Sequence, residues 1–367
     1  MNFNYLEKGI RILLLPISAL VGIYISLRNF FYNRGWLSST PFNFPLVAVG
    51  NLSVGGTGKS PMVEYLLRLL LPQYQVGTIS RGYKRKTKGY LLANPDTTAL
   101  EIGDEPMQFY RKFPNVGVAV GEQRLEAIPQ LLHDLPQTDV IVLDDAFQHR
   151  AITAGLNILL TDYSNPFWHD WYLPTGELRD NRHSAKRAQI IVVTKCPPHL
   201  TQQQKMEMLR QMAPNGSQHV FFTAIAYGVP YHLITKQCFE LHQNLELLLV
   251  CGIANPQPLK AYLELKTASY IEKTFRDHHI FTIDDWNEID ARFRTLGGKD
   301  SIILTTEKDA VRLLKFADLL QHLPVYVLPI EHQFLFNEGP DFDAAVLNFI
   351  NNFANNSTMG KTLPISN

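Results

Sequence analysis

Residues 45–60 read PLVAVGNLSVGGTGKS: a short β-rich run, a glycine-rich turn, and a Lys-Ser pair that opens the helically spaced stretch PMVEYLLRLLL at 61–71. Strand, loop and helix in that order make a phosphate-binding loop. Gly55, Gly56 and Gly58 let the backbone curl until its N–H groups face phosphate oxygens, and the following helix N-terminus adds the positive end of its dipole. In such a loop Lys59 bridges the β- and γ-phosphates and the Ser60 hydroxyl binds Mg²⁺. Ser53 stands where the strict pattern has glycine, so the match is a variant. Asn51, Ser53, Val54 and Thr57 complete the nucleotide-binding segment.

Such a site needs a second, acidic half, and DVIVLDDAFQHR (139–150) supplies it. Val140–Leu143 is an unbroken apolar run, as in a strand covered on both faces. Asp144 and Asp145 follow at its C-terminal end, where open parallel sheets place ligands, and are expected to hold the metal. QVGTISRGY, VGVAVG, LNILLTD and AQIIVVTK repeat the theme of β-branched runs separated by helical or loop segments. The implied fold is α/β, a doubly wound parallel sheet of the P-loop NTPase kind. A second series after about residue 215 (HVFFTAIAYG, ELLLVCGIA, SIILTTEKDAVRLLK, LPVYVLPI) reads as a smaller α/β domain. The expected boundaries are 1–35 for an N-terminal helix, 36–215 for the P-loop domain, 216–350 for the smaller domain, and 351–367 for a frayed polar tail.

Composition narrows the class of protein. The 367 residues are 46% hydrophobic, with 34 basic and 34 acidic side chains. A neutral chain without a basic face has no general attraction to nucleic acid. Cys196, Cys238 and Cys251 are far apart, form no CxxC and are odd in number, which argues for a reducing compartment without disulfides or a zinc site. One local stretch departs from this average. Ile12–Leu27 reads ILLLPISALVGIYISL, sixteen uncharged residues flanked by Lys8, Arg11, Arg28 and Arg34. That is short of the roughly 20 apolar residues that cross a bilayer, and FFYNRGWL follows it. An interfacial helix on a membrane is the first reading, a buried core helix the second.

A guanine-specific protein would carry NKxD after a later strand, but Thr194-Lys195 is followed by Cys196 and Pro197, so ATP is the default nucleotide. A phosphotransferase also needs groups that position an acceptor hydroxyl and take its proton. Three polar clusters are candidates: 80–90 (SRGYKRKTKGY), 102–108 (IGDEPMQ) and 171–183 (WYLPTGELRDNRH). In the first, Arg81, Lys84, Arg85, Lys86 and Lys88 form a basic patch around Tyr83 suited to a phosphorylated or anionic-lipid substrate, or else a solvated loop. In the second, Asp104-Glu105-Pro106 reads on its own physics as a helix start.

GNLSVGGTGKSP, SRGYKRKTKGY, GDEPMQ, GEQR, VIVLDDAFQHR, LPTGELRDNRHS, VVTKCP, CGIANPQP, FRDHHIF and TTEKDAVR, in this order, resemble the tetraacyldisaccharide 4′-kinase (lipid A 4′-kinase) family over nearly the whole chain. The resemblance implies a phosphotransferase that uses ATP and Mg²⁺ to phosphorylate the 4′-hydroxyl of a tetraacylated glucosamine disaccharide 1-phosphate, giving lipid IVA. It also implies a peripheral position on the cytoplasmic face of the bacterial inner membrane, with a lipid A precursor and the membrane surface as partners and no obligate protein partner. Residue by residue, it implies Lys59 and Ser60 in the phosphate loop, Asp144 and Asp145 at the metal, and Asp104 as general base. His278 or His279 of the DHH motif would pair with that base, and since both belong to the second domain, domain closure is expected to assemble the site. Arg124, Gln148, His149 and Arg179 fall where the family has nucleotide or substrate contacts. Two positions depart from the pattern: Lys84 replaces the glycine of SRGYG, and Asp180 replaces the glutamate of LPAGPLRE. Two rival readings remain at this point, a membrane-peripheral nucleotide switch acting on a protein partner and a kinase of a soluble sugar or nucleoside.

Overall fold

The computed structural model describes residues 13–267, 269–296, 300–321 and 323–359. The N-terminal residues 1–12 and the last eight positions of the expected polar tail lie outside the described residues. In chain order the strands are β1 (Thr40–Pro41), β2 (Leu46–Asn51), β3 (Val76–Ser80), β4 (Leu91–Leu92), β5 (Gly117–Val120), β6 (Val140–Asp144), β7 (Ile152–Thr153), β8 (Leu156–Asp162), β9 (Ile190–Thr194), β10 (His219–Tyr227), β11 (Tyr231–His232), β12 (Glu246–Cys251), β13 (Ser269–Thr274), β14 (Ser301–Thr306), β15 (Val325–Leu328) and β16 (Ile330–Phe334).

Nine of them form one sheet in the order β16-β10-β9-β8-β2-β6-β3-β5-β4. Only the two edge strands run antiparallel to their neighbours. β2, β3, β6 and β9 are buried along their whole length, which explains the apolar runs that lead β2, β6 and β9 up to their polar last residues. Alternation still assigns the faces. Val47, Val49, Val140 and Val142 pack on the helices Lys59–Leu70, Asp104–Lys112 and Gly339–Met359, while Leu46, Ala48, Ile141 and Leu143 pack on the helix Arg124–Asp134. The smaller sheet has the order β11-β15-β14-β12-β13, with helices Gln257–Lys266 and Ile283–Phe293 on opposite faces.

Two boundaries differ from the sequence reading. β10, expected in the second series, pairs with β9 in the larger sheet, so a cut at 216 would separate hydrogen-bonded neighbours. The chain also returns: β15 belongs to the smaller sheet and β16, one residue later, to the larger. The outward and return crossings lie side by side, with Gly228 N donating to Pro329 O at 3.0 Å. The tail expected to fray from 351 is helical as far as Met359: the last helix runs from Gly339 to Met359, held by buried Phe342, Val346 and Ile350 and by Tyr74 Oη donating to Asn351 Oδ1 at 2.7 Å.

The apolar N-terminal stretch is a helix, Leu15–Asn33, longer than the sixteen-residue run because Arg28 and Asn29 continue it. At 19 residues with a mean hydropathy of 1.2 it is long and apolar enough to cross a membrane by length and composition. It nevertheless lies against the larger domain: Asn29 Nδ2 donates to Asp180 Oδ1 at 2.8 Å and Ser18 Oγ to Thr175 Oγ1 at 2.7 Å. Its other face leaves Ile17, Leu20, Ile23, Tyr24 and Leu27 exposed.

Candidate active site

β2 ends in Asn51, and the loop beyond it closes onto the helix that starts at Lys59. Gly58 caps that helix at φ +85°, in the left-handed region where a side chain would be strained, and an added Cβ would also sit 3.0 Å from the His332 ring. The loop is braced from below. Thr194 Oγ1, at the end of β9, donates to Thr57 O at 2.9 Å, and His332 Nε2, on β16, donates to Gly58 O at 2.9 Å. Along one side the 173–180 segment pairs with the loop's first turn: Val54 N donates to Glu177 O at 2.7 Å and Arg179 N to Leu52 O at 2.8 Å.

β6 lies next to β2, with Val49 opposite Asp144, so the acidic pair emerges beside the loop. Asp144 Oδ2 accepts from Ser80 Oγ at 3.3 Å, while its Oδ1 is buried without a hydrogen-bond partner. Burial, with the charges of Glu105 and Asp145 nearby, pushes the Asp144 carboxyl up to about 7. Asp145, at φ +49°, faces Lys59 Nζ at 3.7 Å and Arg179 Nη1 at 3.0 Å. Burial alone would raise its carboxyl, but the Arg179 and Lys59 cations hold it below the usual range. Arg179 and Lys59 also both donate to Asn51 Oδ1. Lys59, Asn51, Asp144, Asp145 and Arg179 therefore converge at the C-terminal ends of β2 and β6, with Ser60 in the first turn of the adjoining helix.

The remaining expected residues take several places. Arg124 is buried and donates to the carbonyls of Gly121 and Asp144, so its guanidinium braces the strand ends. Gln148 donates to Asn51 O. His149 has its pKa pushed down to about 4 by burial and by Arg124, Arg28 and Arg81. Arg81 and Tyr83 are exposed at the end of β3. Lys84 adopts φ +60°, which gives a physical reason for glycine in the SRGYG pattern: the turn is kept here in a left-handed conformation that costs a non-glycine residue about 1 kcal/mol or more.

Across the junction of the two sheets, Gly103 at φ +94° caps the helix Asp104–Lys112, whose first residue faces the smaller domain. His278, at φ +63°, brings Nδ1 to 3.3 Å from Asp104 Oδ2, and Tyr83 packs edge-on against its ring at 5.5 Å. His279 points elsewhere, pairing with Asp285 Oδ2 at 2.8 Å and stacking on Phe275. The geometry thus separates the two histidines of the DHH motif. The residues the sequence reading did not name are Arg312, which reaches Asp104 Oδ2 at 2.6 Å; Lys308, at 3.2 Å from His278 Nε2; and His332; while Asp180, named there as a departure from the pattern, ties the N-terminal helix to the 173–180 segment. The TTEKDAVR motif at 305–312 held the first two in plain view, but no local pattern assigns them a partner.

The family model described as tetraacyldisaccharide-1-P 4′-kinase matches residues 10–351. The tetraacyldisaccharide 4′-kinase of Flavobacterium johnsoniae is 45% identical over 343 residues, covering 93% of this chain and 97% of that protein. The one from Bacteroides thetaiotaomicron is 39% identical over 362 residues, covering 95% of each. Among solved structures, LpxK from Aquifex aeolicus in complex with ATP superposes with a TM-score of 0.73 at 27% identity, over 93% of this chain and 99% of that one.

Proposed function

The chain belongs to the tetraacyldisaccharide-1-P 4′-kinase family, and from that premise we propose how its own side chains work. The reaction is ATP-dependent phosphorylation of the 4′-hydroxyl of a tetraacylated glucosamine disaccharide 1-phosphate in lipid A synthesis. The nucleotide-switch reading is not favoured, because relatives matched over nearly their full length are named kinases.

Phosphoryl transfer asks a protein for positioning and charge stabilisation more than for covalent chemistry. The loop amides from Gly55 to Ser60 receive the phosphates, and Lys59 exchanges its contact with Asp145 for the β- and γ-oxygens. Arg179, beside it, is placed to follow the transferring group. Asp104 orients the acceptor hydroxyl and takes its proton as the oxygen attacks the γ-phosphorus, and ADP departs with the bridging oxygen. His278 holds Asp104 in place. Arg81, Tyr83, Gln148 and His149 are the residues assigned to the sugar and its 1-phosphate.

The donor set fits Mg²⁺. The described residues contain no cage of three or more His, Cys, Asp or Glu side chains, but Mg²⁺ needs only one or two carboxylates when phosphates and water complete its shell. Asp144 Oδ1 is a buried oxygen without a partner, Asp145 lies close enough for its charge to act on it, and Ser60 would add its hydroxyl from the first turn of the phosphate-loop helix. When bound there, the ion would draw charge from the β- and γ-phosphates.

The lipid substrate gives the N-terminal helix a purpose. Its exposed Leu20, Ile23 and Leu27 and the shallow groove between Gly22, Phe30 and Tyr172 suit acyl chains at the cytoplasmic face of the inner membrane. The single observation that carries the reading is the meeting of Lys59, Asp145 and Arg179 at the phosphate loop. The test is transfer of labelled γ-phosphate from ATP to a tetraacyldisaccharide 1-phosphate in micelles. Label should reach the lipid with the native chain and not with Lys59→Ala; ATP hydrolysis without lipid labelling would overturn it.

A further inference from the structure

We infer that Lys308 and Arg312 are positioning residues for the Asp104–His278 pair, Lys308 by selecting the tautomer of His278 and Arg312 by fixing the rotamer of the Asp104 carboxylate. The inference deepens the reading of Asp104 as proton acceptor and rests on it.

Lys308 Nζ lies 3.2 Å from His278 Nε2. An ammonium group has only protons to offer, so Lys308 favours a lone pair on Nε2, while Arg312 Nη2, equally a pure donor, lies 3.0 Å from Nδ1 and favours the opposite tautomer. The acceptors decide between them: Asp104 Oδ2 is 3.3 Å from Nδ1 and Asp277 Oδ2 is 3.8 Å from Nε2, so with Lys308 against Nε2 the neutral imidazole carries its proton on Nδ1. Burial comes first among the influences that keep His278 neutral, and Lys308 and Arg312 act the same way against the opposing pull of Asp277 and Asp104. Without Lys308 either nitrogen could hold the proton, and in one of the two tautomers an unprotonated Nδ1 would face the carboxylate.

Arg312 acts on the other partner. Its Nε and Nη2 donate to Asp104 Oδ2 at 3.0 and 2.6 Å. Nη1 is anchored at 3.2 Å to Asp309 Oδ1, and Asp309 is fully buried, accepting from Thr306 Oγ1 and Gly252 N at 2.8 Å each. The guanidinium is thus a fixed feature of the smaller domain. Its Nη2 also sits 3.0 Å from His278 Nδ1. That contact pulls toward the other tautomer, and Lys308 on Nε2 is what offsets it, leaving both Nδ1 and the guanidinium to donate to Asp104 Oδ2. Among the described residues every hydrogen bond to the Asp104 side chain ends on Oδ2, so Oδ1 is left for the incoming hydroxyl. Two side chains of one motif, four residues apart on a single turn of helix, therefore define which nitrogen and which oxygen of the pair are free.

The experiment is nitrogen-15 NMR of the full-length enzyme with labelled histidine, the His278 signals assigned by difference from His278→Gln, alongside steady-state kinetics. In the native chain Nε2 should resonate as an unprotonated ring nitrogen. Lys308→Met should move the proton to Nε2 or mix the tautomers, and lower turnover by about tenfold to a hundredfold, the usual effect of a misplaced reacting group, with the KM for ATP little changed. Lys308→Arg, still a pure donor, should restore the native tautomer and most of the turnover. Lys308 is partly exposed, so these variants should fold. A Lys308→Met enzyme with native tautomer and native turnover would overturn the inference. Asp104→Asn separates the two ideas: near-native turnover there defeats the base assignment, whereas the tautomer is read without reference to activity.

Discussion

His332 Nε2 donates to Gly58 O at 2.9 Å, linking a strand that has just returned from the smaller sheet to the phosphate loop of the larger one. Its Nδ1 meets Thr223 Oγ1 at 2.9 Å, so the buried ring is satisfied at both nitrogens when neutral. Removing it leaves the Gly58 carbonyl with only the Met62 N–H of its own helix, at 3.1 Å, and takes away the brace from β16 at the pivot of the loop. His332→Ala should raise the KM for ATP about tenfold, equivalent to about 1.4 kcal/mol, with the KM for the lipid unchanged. His332→Gln, whose amide can still donate, should recover most of that. Equal KM values in all three proteins would sink the bracing role.

The same ring predicts a pH effect on stability. Burial pushes the His332 pKa from 6.5 down to about 4, so between those values the unfolded chain binds a proton that the folded chain does not. The contribution is therefore fully present above pH 6.5 and is lost as pH falls toward 4. The melting temperature of the native chain should drop further over that interval than that of His332→Gln. Parallel melting curves would contradict it.

Lys112 joins three elements. Its Nζ lies 2.6 Å from Glu64 Oε2 on the phosphate-loop helix and also pairs with Glu307 of the smaller domain, whose Oε2 accepts from Ile330 N at 3.3 Å at the return crossing. Burial, and then the charge of Glu64, raise Glu307 to about 7. Lys112→Met would leave two buried carboxylates facing each other, at a cost of about 3 kcal/mol. Urea unfolding should show that loss above pH 7 and a smaller one at lower pH, where Glu307 takes a proton. A pH-independent change below about 0.5 kcal/mol, the size of an ordinary surface substitution, would show that the triad is not structural.

Asp144 supplies the test of the metal. Asp144→Asn keeps the shape of the side chain and removes its charge. The Mg²⁺ concentration for half-maximal rate should rise at least about tenfold, measured at fixed ATP. An unchanged Mg²⁺ dependence would remove Asp144 from the ligand set.

Exposed residues of the N-terminal helix carry the membrane prediction. Leu20→Asp with Leu27→Asp should abolish co-sedimentation with anionic vesicles and leave ATP binding intact, because both side chains point away from the loop-bearing domain. Undiminished sedimentation would leave the helix without that role.

The sequence by itself determined what depends on neighbours in the chain. Unbroken apolar runs marked the buried parallel strands, the glycine spacing marked the loop at 55–58, and Asp144-Asp145 after such a run marked the strand end where ligands gather. Ten ordered motifs carried the family, which the full-length relatives bear out. Tertiary structure alone decided the pairings. It distinguished His278 from His279, because only the backbone path at φ +63° turns one ring toward Asp104 and leaves the other on Asp285. It brought Arg312 to Asp104 across 208 positions and His332 to Gly58 across 274. It also moved β10, β16 and the last helix into the larger domain. A side chain's partner is set by which surfaces pack together once the sheets have formed. Local periodicity carries no record of that choice, and so the loop could be read from the chain while the groups that brace and orient it could not.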